Sequence, residues 1–275
     1  EINKEDVMKF TKNIPFTLTN DQLKTIDEIL DDLAAPHRMN RLLQGDVGSG
    51  KTIVAFIGML ANHYSGYQSA LMAPTEILAM QHYLNLKKFL EKEDIRIELL
   101  TGSTTKKDKT EIYKGLKDGS IHMVIGTHAL IQDEVEYNNL GLVITDEQHR
   151  FGVAQRQAIL AKGRKSENNV ILEPHVLMMS ATPIPRTLHM SLLKIRDMSL
   201  LTTPPHNRQP IETVIDAYND DRVASAIRRE VERGGQVFYL LNHIDELDRI
   251  VSKVHKLCPK AKIGVIHGKM TKEAI

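Results

Sequence analysis

Apolar positions in this chain follow two periods that take turns. Leu23, Ile26, Ile29, Leu30 and Leu33 fall at helical spacing on one face, and Thr17, Thr19, Asn20 and Asp21 just before them are side chains that cap a helix start. From residue 41 onward, short apolar runs alternate with longer amphipathic stretches. The runs at 41–44, 69–73, 97–101, 122–125, 142–145 and 175–179 read as strands, and the stretches at 53–64, 75–90 and 107–117 read as helices. Short apolar strands separated by helices predict an α/β fold in which a parallel sheet is covered on both faces. Residues 1–16 are polar, have no clean period and predict no element.

Residues 202–210 interrupt the alternation. They hold three prolines in nine positions, a composition that suits a linker better than a helix or a sheet. The pattern then resumes, with strands expected at 211–217, 236–241 and 262–266 and helices at 221–233 and from 245. The predicted organisation is an N-terminal extension over 1–16, a complete α/β domain over 17–201, a linker over 202–210, and the opening of a second α/β domain over 211–275.

Composition narrows the class. The chain has 275 residues, 36 Lys and Arg against 35 Asp and Glu, 41% hydrophobic residues and 26% charged ones. That mix excludes a disordered, collagen-like or coiled-coil chain. A net charge of +1 gives no electrostatic reason to expect nucleic acid, so such a partner has to be argued from local features. A single cysteine, Cys258, cannot form an internal disulfide or a cysteine-rich zinc site, and no apolar run is long enough to span a bilayer. A cytoplasmic, monomeric protein without a membrane partner is the expectation.

The chemistry starts at Gly45-Asp46-Val47-Gly48-Ser49-Gly50-Lys51-Thr52, which matches the phosphate-binding loop G-x-x-x-x-G-K-[ST] in full, between a predicted strand and a predicted helix. Glycines let the backbone turn tightly and aim its N–H groups at a phosphate, and the helix start adds a partial positive charge. Lys51 is expected to reach the β- and γ-phosphates of ATP, and the Thr52 hydroxyl to coordinate Mg²⁺. A second metal-holding group is needed. The run 142–145 ends in Asp146-Glu147-Gln148-His149, which places Asp146 at a strand's carboxyl end for the metal and Glu147 beside it to polarise the attacking water. The bland readings are a glycine-rich turn and a solvated acidic strand end. No H-x-x-x-H metal spacing occurs, and of the twelve histidines only His149 is assigned a role at the nucleotide.

In order along the chain, these segments resemble those of superfamily 2 helicases and translocases. Asp146-Glu147-Gln148-His149 resembles their motif II, and Ser180-Ala181-Thr182 their motif III, which couples nucleotide state to the DNA-binding surface. Ala73-Pro74-Thr75-Glu76, Thr101-Gly102-Ser103 and Ile125-Gly126-Thr127-His128 are similar to the motifs that follow the phosphate loop. The resemblance implies a RecA-like parallel-sheet domain over 17–201 and an incomplete second RecA-like domain after the linker. It implies an adenine-reading role for Gln22, a nucleotide-sensing role for His149, and strand-backbone contacts for Thr75, Gly102, Ser103, Thr127 and His128. The finer likeness, carried by residues 146–156 and 179–188, is to the bacterial branched-DNA helicases. Their role in remodelling stalled forks and Holliday junctions, in repair and recombination, is what the resemblance then implies. It also implies that a separate DNA-reading domain and a cross-domain arginine beyond Ile275 are lacking, so ATP binding with poor hydrolysis is expected of this chain. Two alternatives stay open: a duplex-DNA translocase of the transcription-repair coupling type, and a P-loop ATPase or kinase unrelated to nucleic acid.

Overall fold

The computed structural model describes residues 4–46, 48–146, 153–165, 170–182, 196–203, 209–271 and 273–275. The chain divides into two compact units, Glu1–Arg208 and Gln209–Ile275.

The first unit is built on a seven-stranded sheet in which every pairing is parallel. Its strands are β1 (Asn40–Gly45), β2 (Gln68–Met72), β3 (Ile97–Leu100), β4 (Met123–Gly126), β5 (Leu140–Asp146), β8 (His175–Ser180) and β9 (Asp197–Leu201), in the spatial order β3-β4-β2-β5-β8-β1-β9. A two-stranded antiparallel ribbon, β6 (Arg164–Lys165) with β7 (Ile171–Leu172), stands apart from it. The six strands predicted in this half are present with ends shifted by two residues or fewer. The strand β9 and the ribbon are additions. Neighbouring side chains of a strand enter opposite cores, as the pleat requires: Leu142 and Ile144 pack on one face, Val143 on the other.

Helices α1 (Lys4–Lys12), α2 (Asn20–Ala34), α3 (Lys51–Tyr64) and α4 (Glu76–Phe89) contribute to the first core, and α5 (Lys106–Asp118) and α6 (Val153–Leu160) to the second. The expectation of no element over residues 1–16 is corrected by α1. Its one fully buried residue, Val7, and the partly buried Phe10 are too few to print a period on the sequence, yet they seat the helix on the core. Helix α2 begins as the capping residues predict. Thr19 Oγ1 accepts from the Gln22 amide at 3.2 Å, and Gln22 Oε1 accepts from the Thr19 amide at 2.8 Å, a complete capping box.

An ion-pair network joins α2 to the sheet through a buried arginine. The Arg41 guanidinium, 8% exposed, donates to Asp32 and Glu28 at 2.8 Å each and to Ser199 Oγ at 3.0 Å, so β1, β9 and α2 share one cation.

The second unit contains α7 (Asp220–Glu232) and α8 (Leu247–Leu257), which enclose a small core of Ala224, Ile227 and Cys258. The strands expected at 211–217, 236–241 and 262–266 do not form: these segments run without ladder pairing, and Ile215, Phe238 and Leu240 are almost fully exposed. Apolar and β-branched composition signals a preference for a pleated, half-buried surface, but a strand exists only when a neighbour completes its hydrogen bonds.

Candidate nucleotide and nucleic-acid site

Because all seven strands of the sheet run the same way, every loop that follows one lies along the same edge. Going across that edge, the order is Gly102 and Ser103 after β3, Thr127 and His128 after β4, Thr75 after β2, Asp146 ending β5, Ser180 ending β8, and the glycine-rich loop after β1. The sequence-predicted residues therefore separate into a nucleotide-type end (β5, β8, β1) and an end carrying the hydroxyl and glycine residues (β3, β4, β2).

At the first end, Gly48 and Gly50 have φ of +80° and +84°, a conformation other residues rarely adopt. A Cβ at Gly50 would also lie 1.8 Å from Gln22 Nε2. Gln22 thus packs against the loop through its amide, which donates to the Ser49 carbonyl at 3.5 Å, while its oxygen serves the capping box. Lys51 Nζ donates to the Gly45 carbonyl and lies 3.5 Å from that of Asp46, so the ammonium is held over the loop's own backbone. Ser49 Oγ is buried with no hydrogen-bond partner among the described residues. Gln44, the residue before the loop, donates through Nε2 to the Thr182 carbonyl at 2.8 Å, and the Thr182 amide donates to Ser180 Oγ at 3.1 Å. The phosphate-loop strand and the Ser180-Ala181-Thr182 segment are thereby in direct contact.

The strand ladder fixes the backbone of Asp146, opposite Met179 of β8. Its carboxylate meets a residue that sequence reasoning passed over. His82 Nε2 lies 2.7 Å from Asp146 Oδ2, with the two side chains only 10% and 13% exposed. The sequence reading gave roles to His128 and His149 among the histidines and did not anticipate this contact of His82. A usable signal was present: His82 shares the buried face of α4 with Ala79 and Leu86, and a polar residue there needs a partner. His82 and Thr52 both line a groove of about 1090 Å³ bounded by Phe10, Phe16 and Phe89. Val47, Glu147 and His149 lie outside the described residues.

The donors fit a triphosphate with a hard divalent cation. The loop is too close-packed to admit a side chain at Gly45 or Gly50, an orphan hydroxyl faces no protein acceptor, and the hydroxyl and carboxylate oxygens of Thr52 and Asp146 suit Mg²⁺. Among the described residues no cluster of three or more His, Cys, Asp or Glu side chains forms a protein-only metal cage. Mg²⁺ usually shares its coordination among one or two protein groups, water and phosphate, so such a cage is not required.

At the second end, Thr75 caps α4, its Oγ1 accepting from the Leu78 amide at 3.3 Å. Glu76 beside it accepts from the Ser103 amide and Ser103 Oγ, both at 3.1 Å, and its carboxylate borders Gly102. Thr75, Gly102 and Ser103 are thus gathered through Glu76. Thr127 is buried, with its amide directed at Leu100 and its carbonyl at Leu130, whereas His128 is exposed.

Where α2 meets the end of the sheet, Asp21 Oδ2 accepts four hydrogen bonds, from the amide and the hydroxyl of both Thr202 and Thr203, at 2.9–3.0 Å. These bonds, that from the Thr202 amide foremost, pull the Asp21 carboxyl down to about 2 from its ordinary 3.8. A depressed folded value means the ionised latch contributes fully above pH 3.8 and is lost as pH falls towards 2. The expected result is that, in amide NMR spectra, the Thr202 and Thr203 signals keep their neutral-pH positions to well below pH 4. In Asp21→Asn they are shifted at every pH. A midpoint at the ordinary carboxylate value would show the latch to be absent.

The fold and the glycine-rich loop define a RecA-like P-loop nucleotide-binding domain. The chain belongs to the DEAD/DEAH box helicase family, which it matches over residues 19–191. It is 44% identical to the ATP-dependent DNA helicase RecG of Aquifex aeolicus (strain VF5) over 98% of the chain and 34% of that protein. It is likewise 44% identical to the transcription-repair-coupling factor of Bacillus subtilis (strain 168), over 97% of the chain and 22% of that protein. Among solved structures, RecG bound to a three-way DNA junction superimposes with a TM-score of 0.78 at 39% identity, over 94% of this chain and 34% of that one. The chain spans about a third or less of the length of these relatives. No helix among the described residues is long and apolar enough to cross a membrane.

Proposed function

We propose that the chain is the ATP-binding motor portion of a RecG-type DNA helicase acting on branched DNA, in the remodelling of stalled forks and Holliday junctions during repair and recombination. The observation that carries this reading is the split carboxyl edge of the sheet. A phosphate loop and a strand-end carboxylate stand at one end, the hydroxyl and glycine residues Thr75, Gly102, Ser103 and Thr127 stand at the other, and the 44% identity to RecG runs through both.

In this reading the loop amides and Lys51 hold the β- and γ-phosphates, Thr52 and Asp146 hold the Mg²⁺, and Gln22 reads the adenine. Glu147 orients the attacking water and His149 senses the nucleotide. Bound Mg²⁺ supplies charge neutralisation across the phosphate oxygens. Asp46, Val47 and Ser49 shape the loop between its glycines. Thr75, Gly102, Ser103, Thr127 and His128 follow the phosphate–sugar backbone, which suits tracking without regard to sequence. The DNA partner is branched or duplex, and the compartment is the cytoplasm. The domain limits follow the same reading, with the motor domain over 17–201, the linker over 202–210 and the second domain from 211.

An ATPase assay that compares a three-way junction, linear duplex and single-stranded DNA tests the reading. The junction is expected to stimulate most. Equal stimulation by linear duplex would favour a translocase of the coupling-factor type, to one of which the chain is also 44% identical.

A further inference from the structure

We infer that His82 is a positioning residue for the metal-holding carboxylate, setting the plane of Asp146 so that one oxygen is presented to Mg²⁺. This rests on the nucleotide-site reading above and deepens it. Two elements converge on Asp146. Strand β5 fixes its backbone opposite Met179 of β8, but a ladder leaves the side-chain torsions free. Helix α4 supplies the restraint, through His82 Nε2 at 2.7 Å from Oδ2.

An ionised carboxylate only accepts hydrogen bonds, so the ring nitrogen donates, and it does so whether the imidazole is neutral or charged. Because Oδ2 is taken by His82, Oδ1 retains its full acceptor capacity for a cation or a cation-bound water. Both side chains are nearly buried, so little water competes for the bond. His82 and Thr52 also line the same groove. Partners that hydrogen-bond a metal-ligating group from behind typically change metal affinity by about 10–100-fold when removed.

The test measures metal binding directly. Mn²⁺ replaces Mg²⁺ as an electron-paramagnetic probe and is titrated into the full chain with a non-hydrolysable ATP analogue. His82→Leu is expected to weaken Mn²⁺ binding by about 10–100-fold while leaving analogue affinity in excess chelator unchanged. His82→Gln, whose amide nitrogen can occupy the place of Nε2, restores most of the affinity. His82→Asn, whose amide is too short to reach Oδ2, does not. If the leucine variant fails to fold, the contrast between glutamine and asparagine decides the matter, since both are polar and similar in volume. Equal Mn²⁺ affinity in those two variants, or wild-type affinity in His82→Leu, overturns the positioning role. Asp146→Asn separates the two levels: if it too leaves Mn²⁺ binding intact, the metal-site reading itself falls. If Asp146→Asn abolishes binding and the His82 variants do not, only the role of His82 is lost.

Discussion

Lys51→Ala is expected to lower ATP affinity by about 100-fold or more while leaving the fold intact. The ammonium is the one cationic side chain within the glycine-rich loop, and each charge-assisted hydrogen bond it makes to phosphate contributes about 1.5–3 kcal/mol. Two such bonds, one to each terminal phosphate, account for the loss. Stability is governed by different contacts. The bonds from Lys51 Nζ to the Gly45 and Asp46 carbonyls lie on a partly exposed loop, and water can replace the donor, so the folding cost is about 1 kcal/mol or less. Titration calorimetry with ATP and Mg²⁺, read beside a thermal melt, checks both halves. Undiminished nucleotide affinity would count against the entire site assignment.

The second large effect is on stability. Arg41→Ala is expected to cost about 3 kcal/mol, because removing the buried cation leaves the nearly buried Asp32 carboxylate and the partly exposed Glu28 carboxylate without their counter-charge. For a unit of this size that corresponds to a fall in Tm of roughly 10 °C. Arg41→Lys is expected to recover only part of the loss. A compact ammonium cannot bond Asp32, Glu28 and Ser199 at once, as the planar guanidinium does. Combining Arg41→Met with Glu28→Gln and Asp32→Asn is expected to return most of the stability, because the penalty lies in the stranded charges. A melt of Arg41→Ala within 2 °C of wild type would show that the network is solvent-screened and contributes little.

The nucleotide loop was the most legible part of the site, because its requirements are local. Glycine at positive φ, a lysine and a hydroxyl next to a helix start are all written within eight consecutive residues. The start of α2 was legible for the same reason, since Thr19 and Gln22 complete their capping box within one turn. What escaped depended on distant partners. Helix α1 rests on Val7 and Phe10 meeting a core formed later in the chain. Strand β9 pairs with β1 from 156 positions away, as the Arg41–Asp197 register records. His82 was passed over because its one local mark, a place on the buried face of its helix, does not name its partner, which is 64 residues away. The three runs in the second unit misled in the opposite direction. Their composition favours strands, but the ladder that makes a strand is not supplied by composition.

By itself the sequence determined the alternation of elements, the parallel α/β class and the residues able to hold a phosphate, all properties of short windows whose periodicity and backbone chemistry are read locally. Only the tertiary structure decided the strand order β3-β4-β2-β5-β8-β1-β9. That order sets Asp146 and the glycine-rich loop at one end of the sheet's carboxyl edge and Thr75 with Ser103 at the other, and it brings His82 onto Asp146. Strand order is a choice among global pairings of similar local preference. It is settled by which apolar faces can be buried together and which buried polar groups find partners, a condition that no single stretch of the chain contains.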